Sequence, residues 1–183
     1  MKVKILIVAT MFFCSQFMVN AQTSTFKKGD KVLNLGLGFG GYSPSGYQVS
    51  TPSASASFEV GVKDNGSNSG SFGVGGYLGY ASYNENGILG DDYWTVNKIM
   101  IGARGAYHFQ LVDKLDTYGG VTLGIIARSW KWNGLGSNSN HPSRKPYSGD
   151  LFVGGRYYFS DKFAVMGELG LGAYLTLGIS LKI

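Results

Sequence analysis

Past residue 22 the chain contains no cysteine, because its single thiol, Cys14, lies in the first segment. That excludes disulfide stapling and every thiolate metal site, although an exported chain could use either. Nor does any later apolar run reach the roughly 20 residues that a membrane-spanning helix needs. Charge is scarce as well: only 15% of residues are Asp, Glu, Lys or Arg, and with Lys2 and Lys4 set aside the cations exceed the anions by three. So small an excess, scattered along the chain, is no nucleic-acid footprint, and no nucleic-acid partner is expected.

What is present begins with MKVKILIVATMFFCSQFMVNAQ, in which Lys2 and Lys4 precede an apolar run from Ile5 to Phe17 and small or permissive residues at Val19 and Ala21. That order predicts a secretory signal peptide over residues 1–21, cut after Ala21, and a mature domain over 22–183. A chain without membrane helices still crosses a bilayer as a closed barrel, whose backbone groups all pair between strands. The 29 glycines and 14% aromatic residues suit a small barrel, which has little room inside and carries rings at both membrane interfaces.

Period-two alternation predicts eight strands. Residues 31–41 set Leu33, Leu35, Leu37 and Phe39 against Asn34 and three glycines. Residues 53–62 set Phe58, Val60 and Val62 against Ser57 and Glu59, and residues 71–83, the least clear in phase, favour Phe72, Val74, Leu78 and Tyr80 as the apolar row. Residues 94–109 oppose Ile99 and Ile101 to Met100 and Arg104, and residues 117–131 oppose Val121, Leu123 and Ile125 to Thr122 and Arg128. Residues 149–159 oppose Leu151 and Val153 to Phe152 and Arg156, and residues 163–171 oppose Val165 and Leu169 to Met166 and Glu168. The last strand, 174–183, carries Leu175, Leu177, Ile179, Leu181 and Ile183 on one face up to the free carboxylate.

Connections support the same reading. Long polar segments follow strands one, three and five, and shorter ones follow strands two, four and six, as expected for long outer loops and tight periplasmic turns. The seventh connection departs from this, because Leu171 to Ala173 leaves room only for a tight turn where an outer loop belongs. Aromatic residues fall near both strand ends. Two interfacial girdles are therefore expected: Phe72, Tyr107, Phe109, Tyr118, Tyr157, Phe159 and Phe163 at the periplasmic end, and Phe39, Tyr42, Tyr80, Tyr83, Trp94, Trp130 and Trp132 at the outer end. Aromatics are also ordinary strand residues, which is the competing explanation.

An eight-stranded barrel is just wide enough for its interior side chains to fill it, which argues against an open diffusion pore. The inward rows contain Glu59, Arg104, Arg128, Arg156 and Glu168. A charge facing lipid costs about 2 to 4 kcal/mol at the midplane, whereas inward charges pair with one another. The five are expected to form a structural lumen network, with a proton path or gate as the alternative. His108 is expected to be a hydrogen-bonded filler of the same interior.

No catalytic constellation stands out, and no enzyme activity, metal or cofactor is expected. The nearest candidate is His141-Pro142-Ser143, a His-x-Ser pair of the kind found in outer-membrane lipid A deacylases. It lies in the polar, proline-containing stretch NGLGSNSNHPSRKPYSGD, which reads as a solvated loop, whereas a lipid hydrolase needs the pair on a lipid-facing strand. The glycine runs at 36–41 and 73–76 precede no helix and so offer no phosphate cradle.

The eight alternating segments, the stretch GGRYYFSDKFAVMGELGLG from Gly154 to Gly172 and the apolar C-terminal strand resemble the outer membrane β-barrel domain family, which includes the OmpA- and OmpX-type small barrels. The resemblance covers essentially the whole mature chain. It implies an all-β, eight-stranded antiparallel up-and-down transmembrane barrel in the bacterial outer membrane, a monomer, with no shared active site. It also implies insertion by the barrel-assembly machinery, which recognises the C-terminal strand; many members end in phenylalanine, and this chain ends in Ile183. The outer loops are candidate contacts for lipopolysaccharide, a glycan or a protein. A non-enzymatic role in envelope structure, envelope stabilisation or surface interaction is the leading expectation. A narrow channel for small solutes and a soluble lipocalin-like barrel are the alternatives.

Overall fold

A computed structural model of the chain describes residues 25–40, 48–65, 70–86, 93–133 and 146–183. The leader with Cys14, Tyr42 and the His141-Pro142-Ser143 stretch lie outside the described residues. Eight strands, β1 (Lys31–Phe39), β2 (Gln48–Asp64), β3 (Ser71–Asn86), β4 (Tyr93–Val112), β5 (Leu115–Asn133), β6 (Tyr147–Tyr158), β7 (Phe163–Gly170) and β8 (Leu175–Lys182), follow one another around a closed barrel. Every neighbouring pair is antiparallel, and β1 closes the ring on β8 from Val32↔Lys182 to Phe39↔Leu175. Closure leaves no sheet edge through the body of the barrel.

The alternation sorts side chains as the sequence predicts, including in β3. Its Phe72, Val74, Leu78 and Tyr80 face outward, each more than 40% exposed. Leu123, Ile125, Ile101, Leu151 and Val153 are among the most exposed aliphatics, while Glu59, Arg104 and Arg156 are buried. At the level of these apolar rows the large aliphatic residues thus coat the outside while Glu59, Arg104 and Arg156 lie inside, the reverse of a water-soluble barrel. Glycine makes the interior possible, because a Cβ on Gly73 would collide with the Glu59 carboxylate.

Three connections at one end are short. β2–β3 spans Asn65 to Gly70, β4–β5 is the pair Asp113-Lys114, β6–β7 runs from Phe159 to Lys162, and the segment before β1 and Ile183 share this end. At the other end β7 and β8 are joined by only Leu171–Tyr174, so the hairpin is indeed stubby. Asp150 Oδ1 holds that turn by accepting the Leu171 N–H at 2.8 Å and the Gly172 N–H at 2.9 Å.

Several strands exceed their expected bounds at that far end. β2 begins at Gln48 rather than residue 53, pairing outward to Asn84, and passes through Pro52 within register shifts between Thr51 and Ala54, where a missing N–H is tolerated. β4 and β5 run 20 and 19 residues against 8 in β7 and β8, so the wall is much taller on one side.

The expected girdles hold in part. Phe72, Tyr107, Phe109, Tyr157, Phe159 and Phe163 form outward ring contacts at the short-turn end, for example Phe72–Tyr107 at 4.9 Å and Tyr157–Phe159 at 5.4 Å. Tyr118 does not join them, because it shares the inward phase of Thr122 and is 1% exposed in the lumen. At the far end Phe39 and Tyr80 point outward, but Tyr83 is buried within, and Trp94, Trp130 and Trp132 carry the inward phase. The strand phase decides the face, and proximity to a strand end does not.

Candidate functional site: the ionic lumen and its strap

Two ionic groups occupy the interior. In the upper one, Arg104 on β4 and Glu168 on β7 meet fork to fork, with Arg104 Nη1 donating to Glu168 Oε1 at 3.1 Å and Nη2 donating to Oε2. Tyr118 adds a hydroxyl to Glu168 Oε2 at 3.3 Å, and the Arg104 guanidinium lies 3.5 Å over the Phe152 ring. A bidentate arginine–carboxylate pair backed by an aromatic face offsets much of the desolvation that burial imposes.

The lower group is a ring of four residues. Arg156 Nη2 donates to Glu59 Oε2, and its Nη1 lies 3.4 Å from Asp116 Oδ2. His108 closes the ring, with Nε2 2.6 Å from Glu59 Oε1 and Nδ1 2.9 Å from Asp116 Oδ1. With both carboxylates ionised they only accept hydrogen bonds, so both imidazole nitrogens donate as an imidazolium. Two carboxylates, one guanidinium and one imidazolium then balance. All four residues are at most 2% exposed.

Register explains the assembly. Asp116 faces Arg156 directly across β5 and β6, and Glu59 on β2 lies opposite Gly75, which leaves its side chain free to cross the lumen. A neutral ladder continues the filling, as Ser180 Oγ donates to Asn34 Oδ1 at 2.7 Å and Asn34 Nδ2 donates to Ser57 Oγ at 3.0 Å. Beside the Arg104–Glu168 pair lies a small polar hollow of ≈ 10 Å³, lined in part by Tyr77, Asp150 and Thr176.

The segment before β1 closes the short-turn mouth. Phe26 is 1% exposed, its ring stacked on His108 at 4.0 Å between centroids. Thr25 N donates to Gln110 Oε1 at 2.7 Å, Ser71 Oγ donates to the Phe26 carbonyl at 2.8 Å, and Lys182 Nζ reaches both the Thr25 carbonyl (3.0 Å) and Asp30 (2.7 Å). Gly29 N–H to the Gly61 carbonyl and Gly61 N–H to the Asp30 carbonyl, each 2.9 Å, stitch this strap to β2. Gly61 is needed there, since a Cβ would collide with the Lys27 carbonyl.

Of the five expected network residues, the structure brings together Arg104 with Glu168 and Arg156 with Glu59. Arg128 is inward but stands opposite Lys98, twelve residues along β5 from Asp116, away from both groups. Asp116, the clamping of His108 and Phe26 were not anticipated. Extending the β5 alternation back from Thr122 through Tyr118 would have put Asp116 inside; Phe26 left no periodic signal. Both nitrogens of the His108 ring face carboxylates, Nδ1 towards Asp116 and Nε2 towards Glu59. In β8, Leu175, Leu177 and Ile179 face outward and Ile183 is exposed at the end, with Leu181 half-buried.

No protein family model and no curated protein matches the chain. Among solved structures, it is similar to the Yersinia pestis outer membrane protein Ail in a phospholipid nanodisc (15% identity, 85% of this chain and 100% of that one, TM-score 0.48). It is also similar to the outer membrane protein AlkL in lipid bilayers (15% identity, 90% and 95%, TM-score 0.48) and to a de novo designed transmembrane β-barrel (16% identity, 86% and 98%, TM-score 0.46). By strand number, antiparallel order and closure, the chain itself is an eight-stranded up-and-down antiparallel β-barrel.

Proposed function

We propose that this is a non-enzymatic β-barrel of the bacterial outer membrane with a structural, envelope-stabilising or surface-interaction role. The observation that carries the reading is the outward apolar coat on a closed barrel whose interior holds Glu59, Arg104, Asp116 and Arg156. Such a coat is costly in water and favourable in hydrocarbon, where only structures with internally paired backbones persist. A lipocalin-like barrel needs the opposite distribution, an apolar interior for its ligand. A filled lower lumen, with Glu59, His108, Asp116 and Arg156 locked together above Phe26, favours a structural role over conduction.

The test is fractionation of the expressed full-length protein, followed by gel electrophoresis of the membrane fraction with and without boiling. The expected result is recovery in the outer membrane with a heat-dependent mobility shift. A soluble periplasmic product without a shift would overturn the proposal. Reproducible openings of the purified protein in planar bilayers would instead promote the narrow-channel reading.

A further inference from the structure

The exposed charge at the short-turn end is uneven. Lys27 and Lys28 on the strap, Lys31 at the start of β1, Lys63 at the end of β2, Lys114 in the β4–β5 turn and Lys162 in the β6–β7 turn are all exposed. Against them stand the exposed Asp64, Asp113 and Asp161; Asp30 is engaged by Lys182. The side chains of the collar therefore carry three surplus positive charges, equal to the whole side-chain excess of the chain after residue 22, and the carboxylate of the exposed Ile183 at the same end reduces the surplus to two. The collar is also continuous with the apolar coat. Lys162 immediately precedes Phe163 of the outward aromatic ladder, Lys63 follows the outward Val62, and Lys31 lies two residues below Leu33 on the outward row of β1.

We infer that this lysine collar binds anionic phospholipid headgroups of the leaflet at the short-turn end, recruiting a shell of phosphatidylglycerol-type lipid around the barrel. The inference rests on the membrane-spanning reading above. A rim of aromatics places the headgroup level just beyond the apolar rows. Lysine ammonium groups on flexible stems reach from the edge of an apolar surface to phosphates at that level. The partner is lipid rather than a soluble polyanion because the cations border the lipid-facing rows on several separate strands and turns, and do not converge on one concave site.

The experiment uses the full mature chain refolded in phosphatidylcholine vesicles, with the heat-dependent gel shift confirming the inserted barrel independently of lipid choice. Electron spin resonance with spin-labelled phosphatidylglycerol and spin-labelled phosphatidylcholine then reads the relative affinity of the boundary lipid. The expected result is a preference for phosphatidylglycerol of about fivefold at each site where one lysine meets one headgroup. It should shrink in 1 M salt and in the Lys31→Gln/Lys63→Gln/Lys114→Gln/Lys162→Gln variant, and persist in Lys131→Gln at the far end. Folded, heat-shifted protein with no preference, or a preference that survives the fourfold variant, would overturn the inference. Retention of the folded protein on purified peptidoglycan without any lipid preference would reassign the collar to that polymer, and so would also overturn it.

Discussion

Arg104 and Glu168 form a buried interior pair that a single substitution can test. Arg104 is 5% exposed, and Glu168 takes both ends of its guanidinium. Glu168→Ala would leave that cation buried opposite an alanine, a situation that typically costs about 3 to 5 kcal/mol. Urea unfolding of the variant refolded in vesicles is expected to show a large fall in midpoint, with Glu168→Gln intermediate; an unchanged midpoint would remove the pair from any account of stability. The inward faces of Glu59, Arg104, Arg128, Arg156 and Glu168 could be read from alternation alone. Counting residues from the short-turn ends also puts Glu59, Arg104, Arg156 and Glu168 within reach of one another, but which of them pair could not be read. Arg128 sits beside Lys98 because of the β4–β5 register, and a period-two pattern carries no information about register across strands. Asp116 escaped because Gln110 to Asp116 reads locally as a polar turn, whereas the chain reverses in the two residues Asp113-Lys114 with Lys114 at φ 62°.

Strands and strap differ in how they announce themselves. Each strand has an apolar row repeated several times, so all eight were legible, and the larger boundary errors fall at the far ends of β2 and β3 and at the short-turn ends of β4 and β5. The strap has one buried ring and no repeat, and its hydrogen-bond partners lie far along the chain, at Asp64, Ser71, Gln110 and Lys182. Its stability is consequently a local matter. Phe26→Ala removes the ring stacked on His108, and a buried Phe→Ala change costs about 3 to 5 kcal/mol when the site does not relax. Here the strap releases before the barrel unfolds, because the ladders of β1 to β8 do not depend on it. Amide hydrogen exchange by NMR should show the Gly29 and Gly61 amides losing protection while those in the middle of β8 keep theirs. Equal loss across the barrel would mean that strap and wall form one cooperative unit.

The molecule as a whole is a wall of uneven height with one apolar band. Along β5 the outward row runs Val121, Leu123, Ile125 and Ala127, then Ser129 and Lys131; on β4 the same level marks the change from Ile99 to Asn97. The tall side thus leaves the apolar band and continues as a sheet with a polar exterior, while β7 and β8 end near the band's edge. Leu123, 65% exposed, lies near the middle of the band, and Ser129 lies six residues farther, roughly 16 Å along the axis for a tilted strand. An arginine at each position is a depth gauge. At a bilayer midplane a lipid-facing arginine costs about 2 to 4 kcal/mol, falling to about 0 to 1 near the interface. Leu123→Arg is therefore expected to lose that much stability in urea unfolding from vesicles, and Ser129→Arg next to none. The steep difference can arise only if hydrocarbon surrounds the band, because in water both arginines would sit on an exposed strand face and cost little. Equal small effects at the two positions would place the whole wall in water and remove the membrane from the account.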